Sequence, residues 1–413
     1  MAYQKPKGTR DLYGRELVRI EGVNAQARNY FRLGGYEEIR TPTFEFAELF
    51  VRSVGAGTDI VEKEMYTFEH DAKLFVLKPE GTAPVLRAVL ENRLPVPGRF
   101  LYIASMFRKE KPQKGRYREF QQIGVEILGE EKPFYDAELI AQADQFFRMI
   151  GAEGFFIEIN SIGCPECRAV YKEKLSTWLR PHAGRLCEDC RRRFERNFLR
   201  IFDCKNETCQ TIYKDAPKVT DNLGADCADH YRSVKSYLDR FGVQCRENKK
   251  LVRGLDYYTR TVFEFKHPGL GAQDTFMAGG RYDRLMRELG GEDVPSIGWA
   301  MGVDRLLLVL PEDKPDRVQP RIFFVAIMGE GLIPAARGLR DQVLGKNQAC
   351  ILGDPEDSLK HQLKKADRVN ADYVLIVGED EAKNDYHTVR DMKKSEQKKM
   401  SPAEFDEFLK TKR

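Results

Sequence analysis

Between Pro311 and Pro320 the chain reads PEDKPDRVQP, and the apolar pattern differs on its two sides. Ahead of it, segments of strand character follow one another with few helices between: KLFVLK (73–78), RFLYIASMF (99–107), FQQIGVEIL (120–128) and FFIEIN (155–160). Strands not separated by crossover helices pair antiparallel. An α+β domain, an antiparallel sheet flanked by helices, is therefore expected there rather than a doubly wound fold. Beyond the decapeptide, IFFVAIM (322–328), ACIL (349–352) and YVLIVG (373–378) are continuous apolar runs, as buried parallel strands require. Residues 321–413 thus read as a small α/β domain, with the proline-rich, charged decapeptide as its linker.

Within the first part, apolar spacing predicts helices over 16–33, closing on Gly34-Gly35, and over 136–150. The intervening YEEIRTPTFE is extended, because Pro42 forbids a helix. Strand character is expected again at 250–266 and 274–280, then helices over 281–290 and from about Gly302. In the second part, Leu359, Leu363 and Ala366 share one helical face, and Ser401-Pro402 with Glu404 carries the chemistry of a helix start.

Residues 164–245 look like an inserted helical module rich in cysteine and arginine. From Cys164 to Lys250 there are 19 Lys and Arg against 13 Asp and Glu, enough to account for the +4 of the whole chain. Arg191, Arg192, Arg193, Arg196 and Arg200 fall within ten residues, the footprint of a phosphate-backbone contact or simply of a solvated helix face. No run of 18 apolar residues occurs and the polar N-terminus is unlike a signal peptide, so a cytoplasmic protein is expected.

Three segments carry chemistry together. FRKEKPQKGRYREFQQIGVE (107–126) reads as a hairpin with Arg108 at its base, a basic loop through Lys111, Lys114 and Arg116, and Phe120 on the return strand. Planar guanidinium groups suit phosphates and an aromatic face suits a base. GWAMGVDR (298–305) sets glycines before a helix that holds Arg305, a phosphate-friendly arrangement. LVRGLDYY (251–258) joins Arg253 to Tyr257 and Tyr258.

With GYEEIRTPTFE (35–45), these segments resemble in order motifs 1, 2 and 3 of the class II aminoacyl-tRNA synthetases. LVRGLDYY and AGGRYD (278–283) resemble the two signatures of the bacterial-type histidyl-tRNA synthetases, and KPEGT (78–82), PQKGRYREF (112–120) and PKGTRDLYG (6–14) agree. The resemblance implies a catalytic domain over 1–163 and 246–312, the insertion at 164–245, and an anticodon-binding domain over 321–413. It implies a histidine–tRNA ligase that makes histidyl-adenylate from histidine and ATP with Mg²⁺. The histidyl group then passes to the 3′ end of tRNA(His), releasing AMP. A homodimer is implied by motif 1.

By the same resemblance Arg108 and Arg253 hold the α-phosphate and act catalytically, and Arg305 holds the γ-phosphate. Phe120 stacks on adenine, with Glu110 or Arg116 lining the base. Glu80, Thr82 and Gln122 take the α-ammonium of histidine, while Glu126 and Tyr258 take the imidazole, with Tyr257 and Tyr282 nearby. The chain departs from the family at Lys109, Lys111 and Gln121. Lys109 and Gln121 are expected to point away from the site. Because the family includes paralogues that lack the anticodon-binding domain and have degraded signatures, the retention of both here favours an active enzyme.

Nine cysteines remain. Cys164-x2-Cys167 and Cys187-x2-Cys190 are 19 residues apart, a spacing that suits a structural four-thiolate Zn²⁺ site. Cys204, Cys209 and Cys227 are further candidates, and closure of Cys187/Cys190 with Cys204/Cys209 is the alternative grouping.

Overall fold

The computed structural model describes residues 3–410 apart from 56, 197, 272, 312–319 and 385, so the expected linker lies outside the described residues. Two compact units divide the chain, Met1–Lys314 and Pro315–Arg413.

The first unit is built on eight strands: Glu37–Glu38 (β1), Gly98–Phe107 (β2), Glu119–Leu128 (β3), Phe156–Ser161 (β4), Cys245–Glu247 (β5), Thr259–Lys266 (β6), Thr275–Arg281 (β7) and Ser296–Gly302 (β8). Their order across the sheet is β1-β2-β3-β8-β7-β6-β4-β5. All pairs are antiparallel except the two edge pairs, β1 with β2 and β4 with β5. The antiparallel sheet expected from the scarcity of crossover helices is thus present.

Strand alternation decides what each face does. Ile123, Val125 and Ile127 of β3, with Ile297, Trp299 and Met301 of β8, join one core together with helices Gly14–Leu33, Pro133–Met149 and Ala225–Arg240. The even-numbered residues of the same strands, Gln122, Gly124 and Glu126 on β3 and Gly298, Ala300 and Gly302 on β8, face the other way. This polar and small-residue face is the floor of a cleft.

Three sequence expectations differ from the structure. Lys73–Leu77 pairs with Phe44–Phe46 and Tyr66–His70 in a separate three-stranded sheet and not in this one. Strand 250–266 begins only at Thr259; 251–258 is irregular. A strand would send Tyr257 and Tyr258 to opposite faces, yet both line the cleft, with ring centroids 4.6 Å apart. Helix 281–290 shrinks to Leu285–Glu288, because Arg281 ends β7 and is drawn into buried ion pairs with Asp136 and Asp283.

In the second unit, Ile322–Ile327 pairs in parallel with Ala349–Leu352 and Tyr373–Val377, as their apolar runs predicted. Two antiparallel strands not anticipated, His387–Asp391 and Gln397–Met400, extend the sheet. Their sequences, HTVRD and QKKM, are mostly polar and give no continuous apolar run to read. Ala366 is buried and Leu359 and Leu363 pack beside it. Ser401 and Glu404 form a reciprocal capping box at helix Pro402–Lys410.

Candidate active site

The cleft over the even-numbered face has a volume of about 870 Å³. Its phosphate-friendly end is formed by arginines that hold their charge in different ways. Arg108 lines it; its Nε donates to the Pro79 carbonyl at 2.9 Å, and its guanidinium lies 5.3 Å from the Phe120 ring centroid. Arg305 donates from Nε to the Thr275 carbonyl at 2.8 Å, and also to the Gln273 carbonyl. Neutral carbonyls orient a guanidinium without neutralising it, so both groups keep charge for an anion. Burial, then the nearby Arg116, depresses the pKa of Arg305, with Asp274 and Glu110 opposing the shift. Arg116 itself pairs with Glu110 at 3.1 Å. Arg253, by contrast, is ion-paired to Glu264, and its guanidinium lies 5.6 Å from the Tyr258 ring centroid.

At the other end the polar groups are buried. The Glu80 carboxylate accepts from the backbone N–H groups of Thr82 (2.8 Å) and Ala83 (2.9 Å), capping helix Thr82–Asn92, and burial raises its pKa. Glu126 has no exposed surface. It accepts from the Thr82 hydroxyl at 2.7 Å and from the Tyr282 hydroxyl. Burial lifts its carboxyl from 4.5 to about 8, the two hydroxyls pulling against that and Glu80 adding to it. Gln122, Tyr257, Tyr258 and Tyr282 line the cleft, and among the described residues Gln122 Oε1 has no hydrogen-bond partner.

All the predicted nucleotide and amino-acid residues therefore come together, with one difference of placement. Glu126 does not line the cleft but stands one layer behind it, opposite Gly298 in register. A Cβ at Gly298 would collide with its Oε2, so the missing side chain is what brings this carboxylate near the cleft. Lys109 and Gln121 do not line the cleft, in keeping with their expected orientation. Lys111 is exposed.

Sequence reasoning missed several groups. Tyr102, opposite Gly124 in register, lies on the same face of the sheet with its hydroxyl buried, and only glycine at 81 and 124 leaves room for its ring. PKGTRDLYG acts through space. Arg118 N–H donates to the Gly8 carbonyl at 2.7 Å, and Arg10 pairs with Asp304 and lies 4.1 Å from the Tyr117 ring centroid, bracing the basic loop. From the insertion, Arg200 and Lys205 reach the cleft wall, Arg200 ion-paired to Asp59. Arg191 and Arg192 are exposed.

The four cysteines named as one metal site do not assemble. Cys187 and Cys190 gather with Cys204 and Cys209, all four Sγ atoms lying within 4.8 Å of one another, while Cys164 and Cys167 join Cys227. Cys164 and Cys167 open helix Pro165–Leu179, while Cys187 and Cys190 flank the start of helix Glu188–Arg196.

A largely antiparallel sheet with arginines converging from a hairpin, an irregular loop and the helix after β8 defines the catalytic core of a class II aminoacyl-tRNA synthetase. Residues 8–176 and 181–306 match the family described as histidyl-tRNA synthetase, and 323–412 match an anticodon-binding domain. A histidine–tRNA ligase of Desulforudis audaxviator is 45% identical over 418 residues, 99% of each chain. One of Thermosipho melanesiensis is 44% identical over 401 residues, 96% of this chain and 95% of the relative. The crystal structure of the apo S. aureus histidyl-tRNA synthetase superposes with a TM-score of 0.80 at 30% identity, covering 99% of this chain and 100% of that one. The chain belongs to the histidyl-tRNA synthetase family.

Proposed function

We infer that this cleft performs histidine–tRNA ligation: histidine and ATP give histidyl-adenylate and pyrophosphate, and the histidyl group then passes to tRNA(His). The observation that carries the reading is the joining, in one cleft, of carbonyl-oriented arginines with a buried pocket of Glu126, Thr82 and Tyr282. Attack of a carboxylate on the α-phosphorus builds negative charge that fixed guanidinium groups stabilise without reorganising. In the proposed assignment Arg108 and Arg253 take the α-phosphate and Arg305 the γ-phosphate. Phe120, Glu110 and Arg116 serve the adenine, and Glu80, Thr82 and Gln122 the α-ammonium. Glu126, Tyr257, Tyr258 and Tyr282 surround the imidazole. An imidazole offers one donor and one acceptor, so a polar pocket penalises analogues lacking either. Mg²⁺ is proposed to enter with ATP and would neutralise pyrophosphate charge; the carboxylates of Glu64 and Asp274 stand on the cleft lining as oxygen donors. Pyrophosphate exchange dependent on histidine, and on no other amino acid, is expected of the purified protein; exchange without that dependence would defeat the reading.

The catalytic domain is proposed to comprise 1–163 and 246–312 and the anticodon-binding domain 321–413, in keeping with the division at Lys314. Its substrates, ATP and tRNA, argue for the cytoplasm. We also propose a homodimer. Phe44, Phe46 and Phe68 stand about half-exposed around Phe75 on a three-stranded sheet, a contiguous apolar face that a second copy would cover. Phe46→Glu is expected to sediment as a monomer where the parent is a dimer; an unchanged sedimentation coefficient would exclude this face. The Cys187, Cys190, Cys204 and Cys209 thiols have the number and spacing for one structural Zn²⁺.

A further inference from the structure

The insertion's second thiol cluster has a different character. The Sγ atoms of Cys164, Cys167 and Cys227 lie within 4.8 Å of one another, those of Cys164 and Cys167 at 3.5 Å. Two helix starts present them. Cys164 is the N-cap of helix Pro165–Leu179 and Cys167 lies in its first turn, while Cys227 lies in the first turn of helix Ala225–Arg240. The positive ends of two helices thus meet at three sulfurs, and the Gly224 N–H donates to Cys167 Sγ at 3.1 Å. Gly163 is required beside them: its φ is +69°, and a Cβ would press on Cys167 Cβ at 2.6 Å.

Among the described residues no fourth Cys, His, Asp or Glu places a ligand atom within 4.8 Å of all three, and the carboxylate beside Cys164 on the cavity wall, Glu166, is paired with Arg284 at 2.8 Å. All three cysteines instead border a cavity of about 920 Å³ that is separate from the catalytic cleft. A closed structural site supplies four protein ligands; three ligands beside a cavity leave one position open.

The cluster is also tied to the histidine-signature loop. Arg168 follows Cys167 directly, and its Nη1 donates to the Tyr258 carbonyl at 3.1 Å. On the other side, the Arg260 N–H donates to the Gly163 carbonyl at 2.9 Å and the Ile162 N–H to the Arg260 carbonyl at 2.8 Å. The backbone flanking Tyr258 is therefore held by the loop that bears Cys164.

We propose that Cys164, Cys167 and Cys227 bind a second Zn²⁺ whose fourth ligand is exchangeable and comes from the cavity, and that this ion braces the histidine pocket through Arg168 and Tyr258. The cysteines are positioning residues here and do not touch the substrates. Thiolates select a soft or borderline cation, and binding energy spent at the two helix starts stiffens the loop between them. This site does not depend on the four-cysteine one.

The test uses the full-length chain, reduced, freed of metal and reloaded with Zn²⁺, beside Cys227→Ser and Cys209→Ser. Two ions are expected in the parent and one in each variant. Cys227→Ser should raise the KM for histidine by about fivefold, the lower range of coupling between sites, with the KM for ATP unchanged. Should the four-cysteine reading fail instead, the parent binds one ion, lost in Cys227→Ser and kept in Cys209→Ser, and the three-cysteine site stands. If Cys227→Ser does not fold, cobalt-loaded parent decides: a small added thiol should alter the visible bands of its open site. Retention of all parent metal by Cys227→Ser, or cobalt bands indifferent to added thiol, overturns the site. An unchanged KM for histidine in a folded Cys227→Ser overturns the brace.

Discussion

Arg253→Lys is expected to fold like the parent and yet to lose on the order of 10²–10³ in histidine-dependent pyrophosphate exchange, the usual effect of removing one fixed donor from a developing oxyanion. The reasoning begins with Glu264. That carboxylate holds Arg253 and also accepts from the Thr275 hydroxyl at 2.9 Å, with Lys266 at 3.4 Å, so the arginine is set in place before substrate arrives. An arginine can spend one edge of its fork on Glu264 and keep other donors for phosphate; an ammonium cannot present that planar pair. Arg253→Ala should be worse in two separable ways. Exchange falls as far or further, and the partly buried Glu264 loses its partner, which lowers the melting temperature. Lysine therefore isolates the chemistry and alanine adds the stability cost. Exchange near the parent's in both variants would remove Arg253 from the reaction.

How far the sequence reveals this site depends on how local each interaction is. Period-2 alternation in FQQIGVEIL already separates Gln122 and Glu126 from Ile123, Val125 and Ile127, and the structure puts those two sets on opposite faces. The resemblance picks out LVRGLDYY as functional, but not its shape. Its residues have strand propensity, and only the convergence of both tyrosines and Arg253 on the cleft overrides that propensity. The cysteine partners are half legible: closure of Cys187/Cys190 on Cys204/Cys209 is one of the two groupings the sequence offers, whereas the joining of Cys164 and Cys167 to Cys227 is not among them. Spacing constrains pairs within a helix turn, whereas Cys204, Cys209 and Cys227 are brought in by tertiary packing. Tyr102 and the 6–14 segment are likewise invisible in one sequence, because the glycines that admit the first and the loop that receives the second are distant along the chain.

Glu126→Gln should make the protein more stable and the enzyme worse. In the unfolded chain this carboxyl has its ordinary value of 4.5; in the folded one burial holds it at about 8. Between those values the native state binds a proton that the unfolded state has released. Stability therefore falls as pH rises through that window, by up to roughly 1.4 kcal/mol per unit for one fully linked proton, and levels off above it. Glutamine carries no such proton, and its carbonyl can still accept from Thr82 or Tyr282. The variant should match the parent near pH 4.5 and melt at a clearly higher temperature near pH 8. Catalysis should move the other way. Under the proposed assignment Glu126 reaches the imidazole through the gap at Gly298, and a hydrogen bond between neutral groups contributes about 0.5–1.5 kcal/mol, a KM for histidine higher by roughly 2- to 12-fold. Thermal melts across the pH range, paired with exchange kinetics at varied histidine and then at varied ATP, test both halves. Parallel melting profiles would mean that Glu126 does not hold the extra proton. An unchanged KM for histidine would mean that the burial of this carboxylate, so costly at the pH where the enzyme works, serves something other than selecting the amino acid.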